Sequence, residues 1–276
     1  MNRIPCLRFF QALRSSIILF SIPMLVSCSN NTHIHGTYSH GGIIRGDTTV
    51  KELALIFTGG DFSDGGSHIT SILHKHGMKA GFFFTGDFYR SSRNAGLIRD
   101  LISDGHYLGP HSNRHLLYCP WNNRDSLLVT REEFVSDMQA NIREMEQFGI
   151  LPETNPYFIP PFEWYNDSIA TWARREGWVL FNHTPGTLSA ADYTTPMMPN
   201  YRDSDRIWNS VIDFEQHSAA GLNGFILLTH IGTDPERTDK FYYRLEPLLL
   251  YLRESGYRLV RIDSLLHKLE TSGLSN

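Results

Sequence analysis

LALIFTGGDFSDGGSHITSILHKHGMKAGFFFTG, residues 53–86, holds an apolar run of strand length, a helix-length amphipathic segment, a glycine and a second apolar run. LALIFTGG (53–60) and KAGFFFTG (79–86) are too short and too rich in β-branched and aromatic residues for helices, and SHITSILHKHG (67–77) has helical spacing up to Gly77. The same alternation recurs downstream. Helix AGLIRDLISDG (95–105) leads into strand HYLGPH (106–111), and helix TREEFVSDMQANIREMEQFG (130–149) into strand YFIPP (157–161). Helix NDSIATWARREG (166–177) leads into WVLFNHT, helix DRIWNSVIDFEQHS into GFILLTH (224–230), and helix DKFYYRLEPLLLYLRESG into YRLVRID (257–263). In the longest helix Thr130 and Glu133 form a capping box, Phe134, Met138, Ile142 and Met145 share one face, and Gly149 supplies the stop.

Strands separated by helices pair in parallel and are buried on both faces. Seven such strands fit an open doubly wound α/β sheet or a closed barrel, and in either the chemistry gathers at the C-terminal strand ends. GGDFSDGG, HSNRH, PPFEWYN and His230 follow the first, third, fourth and sixth strands, so all four are expected at one mouth.

The composition adds bounds. The 276 residues are 41% hydrophobic and 20% charged, ordinary for a globular chain, and a net charge of −4 gives no reason to expect nucleic acid. The N-terminus is a separate segment: Arg3, Arg8 and Arg14 precede SSIILFSIPMLV, an apolar run too short to span a bilayer comfortably. It ends in LVSC, Leu25–Cys28, which resembles the lipobox of bacterial lipoproteins. That likeness makes residues 1–28 a signal peptide, Cys28 the lipidated residue, and the mature chain an envelope lipoprotein attached to a membrane by its lipid alone. Residues 29–48, polar and Gly-rich, are expected to be a flexible tether before a domain at 49–270. Of three cysteines only Cys119 then remains, read as a lone, partly buried thiol.

HSNRH (111–115), FIPPF (158–162) and LLTH (227–230), in this order, resemble the polysaccharide deacetylases, the NodB-like carbohydrate esterases. Their patterns are TFDDG, HSxxH, RPPF or RxPY, and LLxH, and the likeness spans roughly residues 50–265. It implies a distorted (β/α) barrel of about seven strands, and a metal-dependent hydrolase that removes N-acetyl or O-acetyl groups from an acetylated glycan. By the same likeness His111 and His115 ligate a divalent metal, zinc foremost, and His230 protonates the leaving group.

The first pattern is broken. Where the family carries consecutive aspartates, one base and one ligand, this chain has Thr58, Gly59 and Gly60, with Asp61 one or two residues on. The family's Arg, which orients the base, is Ile159 here. The losses belong together, because a buried Arg without its carboxylate is costly. Asp61 is the expected third ligand or base, Asp64 the second choice for ligand or else a helix cap, and Glu163, just after PPF, a partial substitute base. Tyr118, Trp121, Pro161, Phe162, Trp164 and Tyr165 are expected to meet the sugar. A catalytically degenerate homologue that binds glycan without cleaving it stays open. An amidohydrolase does not, since its His-x-His would have to end the first strand, whereas the pairs here are His33/His35 and His74/His76.

Replacing Cys28 with Ser is expected to abolish incorporation of labelled fatty acid and to move the protein from the membrane pellet to the soluble fraction. Continued labelling would rule this anchor out.

Overall fold

The computed structural model describes residues 36–273. The signal-like segment, Cys28 and residues 29–35 lie outside them. In chain order the elements are β1 (Thr37–Ser39), β2 (Gly42–Arg45), β3 (Glu52–Gly59), α1 (Gly66–Lys75), β4 (Gly81–Phe84), α2 (Gly86–Arg90), α3 (Ala95–Ser103) and β5 (Tyr107–Pro110). They continue with α4 (Arg131–Glu146), β6 (Tyr157–Phe158), α5 (Asp167–Arg175), β7 (Val179–Leu180), α6 (Ser204–His217), β8 (Phe225–His230), α7 (Leu245–Glu254), β9 (Arg258–Leu259) and α8 (Ile262–Gly273). All seven expected strands form. The helices unannounced by spacing are α2, α8 and short 3₁₀ turns, among them Pro161–Glu163 and Ser189–Tyr193.

Strands β5, β4, β3 and β8 pair in parallel, and β9 adds to the start of β3. β6 and β7 form a separate parallel pair. Two seams close the ring. The Thr184 amide donates to the Ile226 carbonyl (3.0 Å) and the Ile226 amide to Thr184 Oγ1 (2.9 Å), which joins the end of β7 to β8. Between β5 and β6 no ladder forms; the Tyr157 amide donates to the Tyr107 hydroxyl at 3.0 Å instead. The result is the distorted α/β barrel.

Period-two alternation assigns the side chains. Leu53, Leu55, Phe57, Phe82, Phe84, Phe225 and Leu227 face outward and pack in one cluster with Ile69 and Leu73 of α1, Leu101 of α3 and Leu248 of α7. Ala54, Ile56, Phe83, Tyr107, Tyr157, Phe181, Ile226 and Leu228 face inward, and α8 closes the N-terminal end with Ile262, Leu265, Leu266 and Leu269. The bottom is therefore sealed with hydrocarbon, and only the C-terminal mouth is left for polar groups.

The expected tether is corrected over its described part. β1 and β2 are an antiparallel hairpin, and Ile43 bridges in parallel to Phe181 and is buried with it. The Asn182 amide donates to the Ile43 carbonyl (2.8 Å), and the Arg45 guanidinium to the carbonyls of Asn223 (2.9 Å) and Gly221 (2.8 Å). The Gly-rich composition hid a four-residue strand whose pairing is long-range. Within the hairpin His40 meets Ser39 and the Tyr165 ring. No helix among the described residues is long and apolar enough to cross a membrane.

Deleting residues 36–46 is expected to lower Tm by about 5–10 °C, because uncovering Ile43, Phe181 and Tyr165 forfeits about 2–3 kcal/mol. Scanning calorimetry checks it, and a true tether would leave Tm unchanged.

Candidate functional site

The inward rows end at the mouth in Thr58 on β3, His230 on β8 and His111 one residue past β5. Thr58 and His230 are register partners, and the His111 amide continues the ladder to the Phe84 carbonyl at 3.1 Å. They open into a cleft of about 770 Å³ whose walls also hold His115, Phe162, Glu163 and Trp121.

α4 builds the histidine pair. Asp137, its side chain fully buried, accepts from Ser112 Oγ (2.6 Å), the Asn113 amide (2.8 Å), and the Arg114 amide and Nε (both 3.2 Å). Asn141 Oδ1 accepts from the His111 amide at 2.9 Å. These bonds hold Ser112 (φ 68°) and His115 (φ 52°) in the left-handed region, which costs of order 1–3 kcal/mol each in non-glycine residues. His111 Nδ1 donates to the Ile159 carbonyl at 2.9 Å, so the Nε2 lone pair points into the cleft. His115 Nε2 lies 3.2 Å from His111 Nε2. Two nitrogens on one tetrahedral zinc, at 2.0–2.1 Å each, stand about 3.3 Å apart, so the pair fits two corners of such a site. Burial, then the neighbouring His115, holds His111 well below the usual imidazole range, and burial, then His230, pushes His115 down to about 4. Both are neutral at pH 7, as ligation requires.

The third ligand is not assembled. Among the described residues no three His, Cys, Asp or Glu gather as a metal-holding group. Asp61 stands exposed on the cleft wall on the His115 side, near enough to influence that imidazole. The loop is pinned back by Asp64, which accepts from the Thr233 amide (2.8 Å) and the Tyr242 hydroxyl (2.9 Å) and pairs with Lys240 (3.0 Å). Asp64 is therefore neither a ligand nor the cap of α1, whose N-cap position is Gly65 with no side-chain cap. Position 59 has no room for a carboxylate, since a Cβ there would meet Ile231 Cγ2 at 2.7 Å and Phe84 Cδ1 at 2.9 Å. Thr58 is 1% exposed and its hydroxyl has no hydrogen-bond partner. Ile159 is buried in the barrel core.

His230 faces the pair across the cleft. Its Nδ1 lies 2.6 Å from Asp192 Oδ1, and its amide donates to Asp192 Oδ2 at 2.9 Å. Burial alone would lower its pKa, but the Asp192 charge and hydrogen bond, helped by Glu163, carry it above the ordinary value. Asp234, four positions after His230 in the chain, lines the cleft but is not that partner. Asp192 was missed, although it is the one acidic residue between Glu176 and Asp203 and sits after a strand. Arg237, wholly buried, donates to the carbonyls of Thr194 (2.7 Å) and Arg202 (3.0 Å) and so fixes the segment that follows Asp192.

Glu163 lines the same side. Phe162 (φ 57°) and Glu163 (φ 53°) are consecutive left-handed residues after Pro160–Pro161. Their turn is tied by the Glu163 amide to the Pro160 carbonyl (3.1 Å) and by Asn182 Nδ2 to the Glu163 carbonyl (2.8 Å). Burial raises the Glu163 carboxyl to about 7 against the pull of His230.

The aromatic expectation divides. Trp121, 60% exposed, and Phe162, 42% exposed, line the cleft with ring centroids 5.7 Å apart, and Phe162 also meets His115 edge-on. Trp164 backs Trp121 from behind, beneath Arg124. Tyr165 and Tyr118 are core residues, the former donating to the Ser39 carbonyl at 2.8 Å, and Pro161 is buried. Their positions after strands are right, but the segment from 116 to 130 folds over them. Tyr193 and Met198 line the cleft unforeseen. Cys119 is buried and free.

Convergent imidazoles facing a carboxylate-held histidine at the open end of an α/β barrel are the equipment of a hydrolase. The chain belongs to the polysaccharide deacetylase family, whose model matches residues 45–184. It is similar to an uncharacterized 30.6 kDa protein of Geobacillus stearothermophilus, 22% identical over 82% of this chain and 75% of that one. It is also similar to the peptidoglycan-N-acetylglucosamine deacetylase of Listeria monocytogenes, 26% identical over 79% of this chain but 39% of the Listeria protein. The fold matches a family 4 carbohydrate esterase pseudoenzyme from Bacillus anthracis, with TM-score 0.64 and 19% identity over 83% of this chain and 70% of that one.

Asp137→Ala is expected to lose about 3 kcal/mol of stability by orphaning buried donors, and to weaken zinc binding about 10–100-fold by releasing the histidine loop. Denaturation and calorimetric titration measure the two effects. Unchanged zinc affinity would mean that the pair is set without Asp137.

Proposed function

We propose that the chain hydrolyses acetyl groups, N-acetyl or O-acetyl, on an acetylated glycan of the cell envelope. The observation that carries this reading is the convergence of His111 and His115 Nε2 atoms opposite an imidazole held by Asp192. His111 and His115 would hold two positions on a divalent cation, zinc foremost, with Asp61 the carboxylate nearest to completing the set. Such an ion, when bound, polarises the acetyl carbonyl and lowers the pKa of water beside it. The chain's own groups do the rest. His230, protonated through Asp192, gives its proton to the departing amine or alkoxide. Trp121 and Phe162 offer ring faces to pyranose rings and exclude water from one wall. Lipidation at Cys28 would keep the enzyme at a membrane surface facing its substrate.

A second reading, glycan binding without turnover, is favoured by one observation: Thr58 stands where a base would, and among the described residues no third ligand is gathered with the imidazoles. Acetate release from N-acetylglucosamine oligomers and from acetylated xylan decides between them, with catalysis expected and binding alone the contrary result.

Asp192→Asn is expected to cut kcat about 100-fold or more. The acid form of His230 is the active one, so rate falls as pH rises through its pKa. Removing the Asp192 charge lowers that pKa and moves the descending limb to lower pH, which a kcat profile from pH 5 to 9 reads.

A further inference from the structure

The deacetylase reading leaves one role unfilled, the base that takes a proton from water. β3 offers none: Thr58 carries a hydroxyl, Gly59 excludes any side chain, and Gly60 has no functional group. Ile159, packed in the barrel core, brings no cation to steady a carboxylate at Thr58. Asp61 stands exposed on the His115 side.

Apart from Asp192, which holds it, the carboxylate that acts on His230 is Glu163 on the cleft wall. Glu163 is half-buried there, and no side-chain hydrogen bond reaches the Glu163 carboxylate among the described residues. A buried carboxylate kept for structure is ordinarily saturated with donors, as Asp137 is by four in this same fold. The Glu163 backbone, by contrast, is over-determined. Two consecutive left-handed residues, a proline pair before them and the Asn182 amide group set its direction, and such strain clusters where direction serves chemistry. The charged and titratable groups acting on it are His230 and Asp192.

We propose that Glu163 is the water-activating base of this cleft, filling from the turn after β6 the role vacated at Thr58 on β3. The proposal rests on the deacetylase reading. As the water oxygen bonds to the acetyl carbon, the Glu163 carboxylate takes one of its protons. The carbon–nitrogen bond then breaks, its electron pair stays with the amine nitrogen, and His230 Nε2 protonates that nitrogen. Acetic acid and the free amine leave, and the proton on Glu163 returns to His230 through solvent. Atoms and charge balance with water as the one co-reactant.

The test compares wild type, Glu163→Gln and Glu163→Asp as full-length protein with zinc, using an N-acetylglucosamine tetramer. Acetate release gives kcat and KM, and Trp121 fluorescence gives tetramer affinity. Glu163→Gln is expected to lose at least 100-fold in kcat, with KM and affinity within twofold, and to lack the ascending limb near pH 7 expected of wild type. Glu163→Asp is expected to keep the limb at reduced rate. If Glu163→Gln misfolds, as its melting would reveal, Glu163→Asp decides alone: a retained limb supports the base, a lost limb overturns it. Wild type and Glu163→Gln with the same rate and pH profile would overturn this assignment while leaving the deacetylase intact. No acetate from wild type on either glycan class would overturn the deacetylase reading and this base with it.

Discussion

Alternation along three parallel strands of one sheet governs where the chemistry falls. Because β3, β8 and β5 run parallel in fixed register, every second residue of each must enter the barrel. Hydrocarbon fills those positions from the α8 end upward through Ile56, Leu228 and Tyr107, so the last inward positions are the first that can be polar. They are Thr58, His230 and His111. A one-residue slip would replace them with Phe57, Thr229 and Pro110 and leave those three positions without a titratable group. The same phase explains the closed position 59, where a Cβ would collide with Ile231 and Phe84.

Around that frame the site is held by buried carboxylates with separate duties. Asp137 spends its lone pairs on the backbone of the histidine loop, and Asp192 spends its own on His230. Each is satisfied, which is how a charge survives inside a core. Glu163 is the exception, a half-buried carboxylate that no hydrogen-bond donor reaches among the described residues. The absence of charge at Thr58 and at Ile159 is a paired change. Removing one partner of a buried ion pair alone strands the other at a cost of several kcal/mol, whereas losing both leaves ordinary packing. Ile159 accordingly joins the barrel core, while its carbonyl still orients His111, a duty any residue at that position can perform.

Local pattern was enough for much of this. Periodicity specified the seven parallel strands, the main helices and the capping box at Thr130, because each depends on residues within a few positions. The phase of the strands placed HSNRH, PPF and LLTH at one end. The hairpin at Thr37–Arg45 escaped because its partners lie over a hundred residues away, at Phe181, Asn182, Gly221 and Asn223. Asp137 escaped because it reads as one more polar residue of an amphipathic helix, and Tyr118 and Tyr165 passed for exposed loop aromatics.

What the sequence by itself determined is the class of fold, the end of the barrel that does the work, and the pairing of His111 with His115. Only the tertiary structure decided that Asp192 holds His230, that Asp61 stays out on the wall, and that Glu163 lines the cleft. The physical reason is one of range. Helices and strands are selected by contacts between near neighbours, whereas a buried charge finds its partner through space, and chain order does not record which of several carboxylates will arrive.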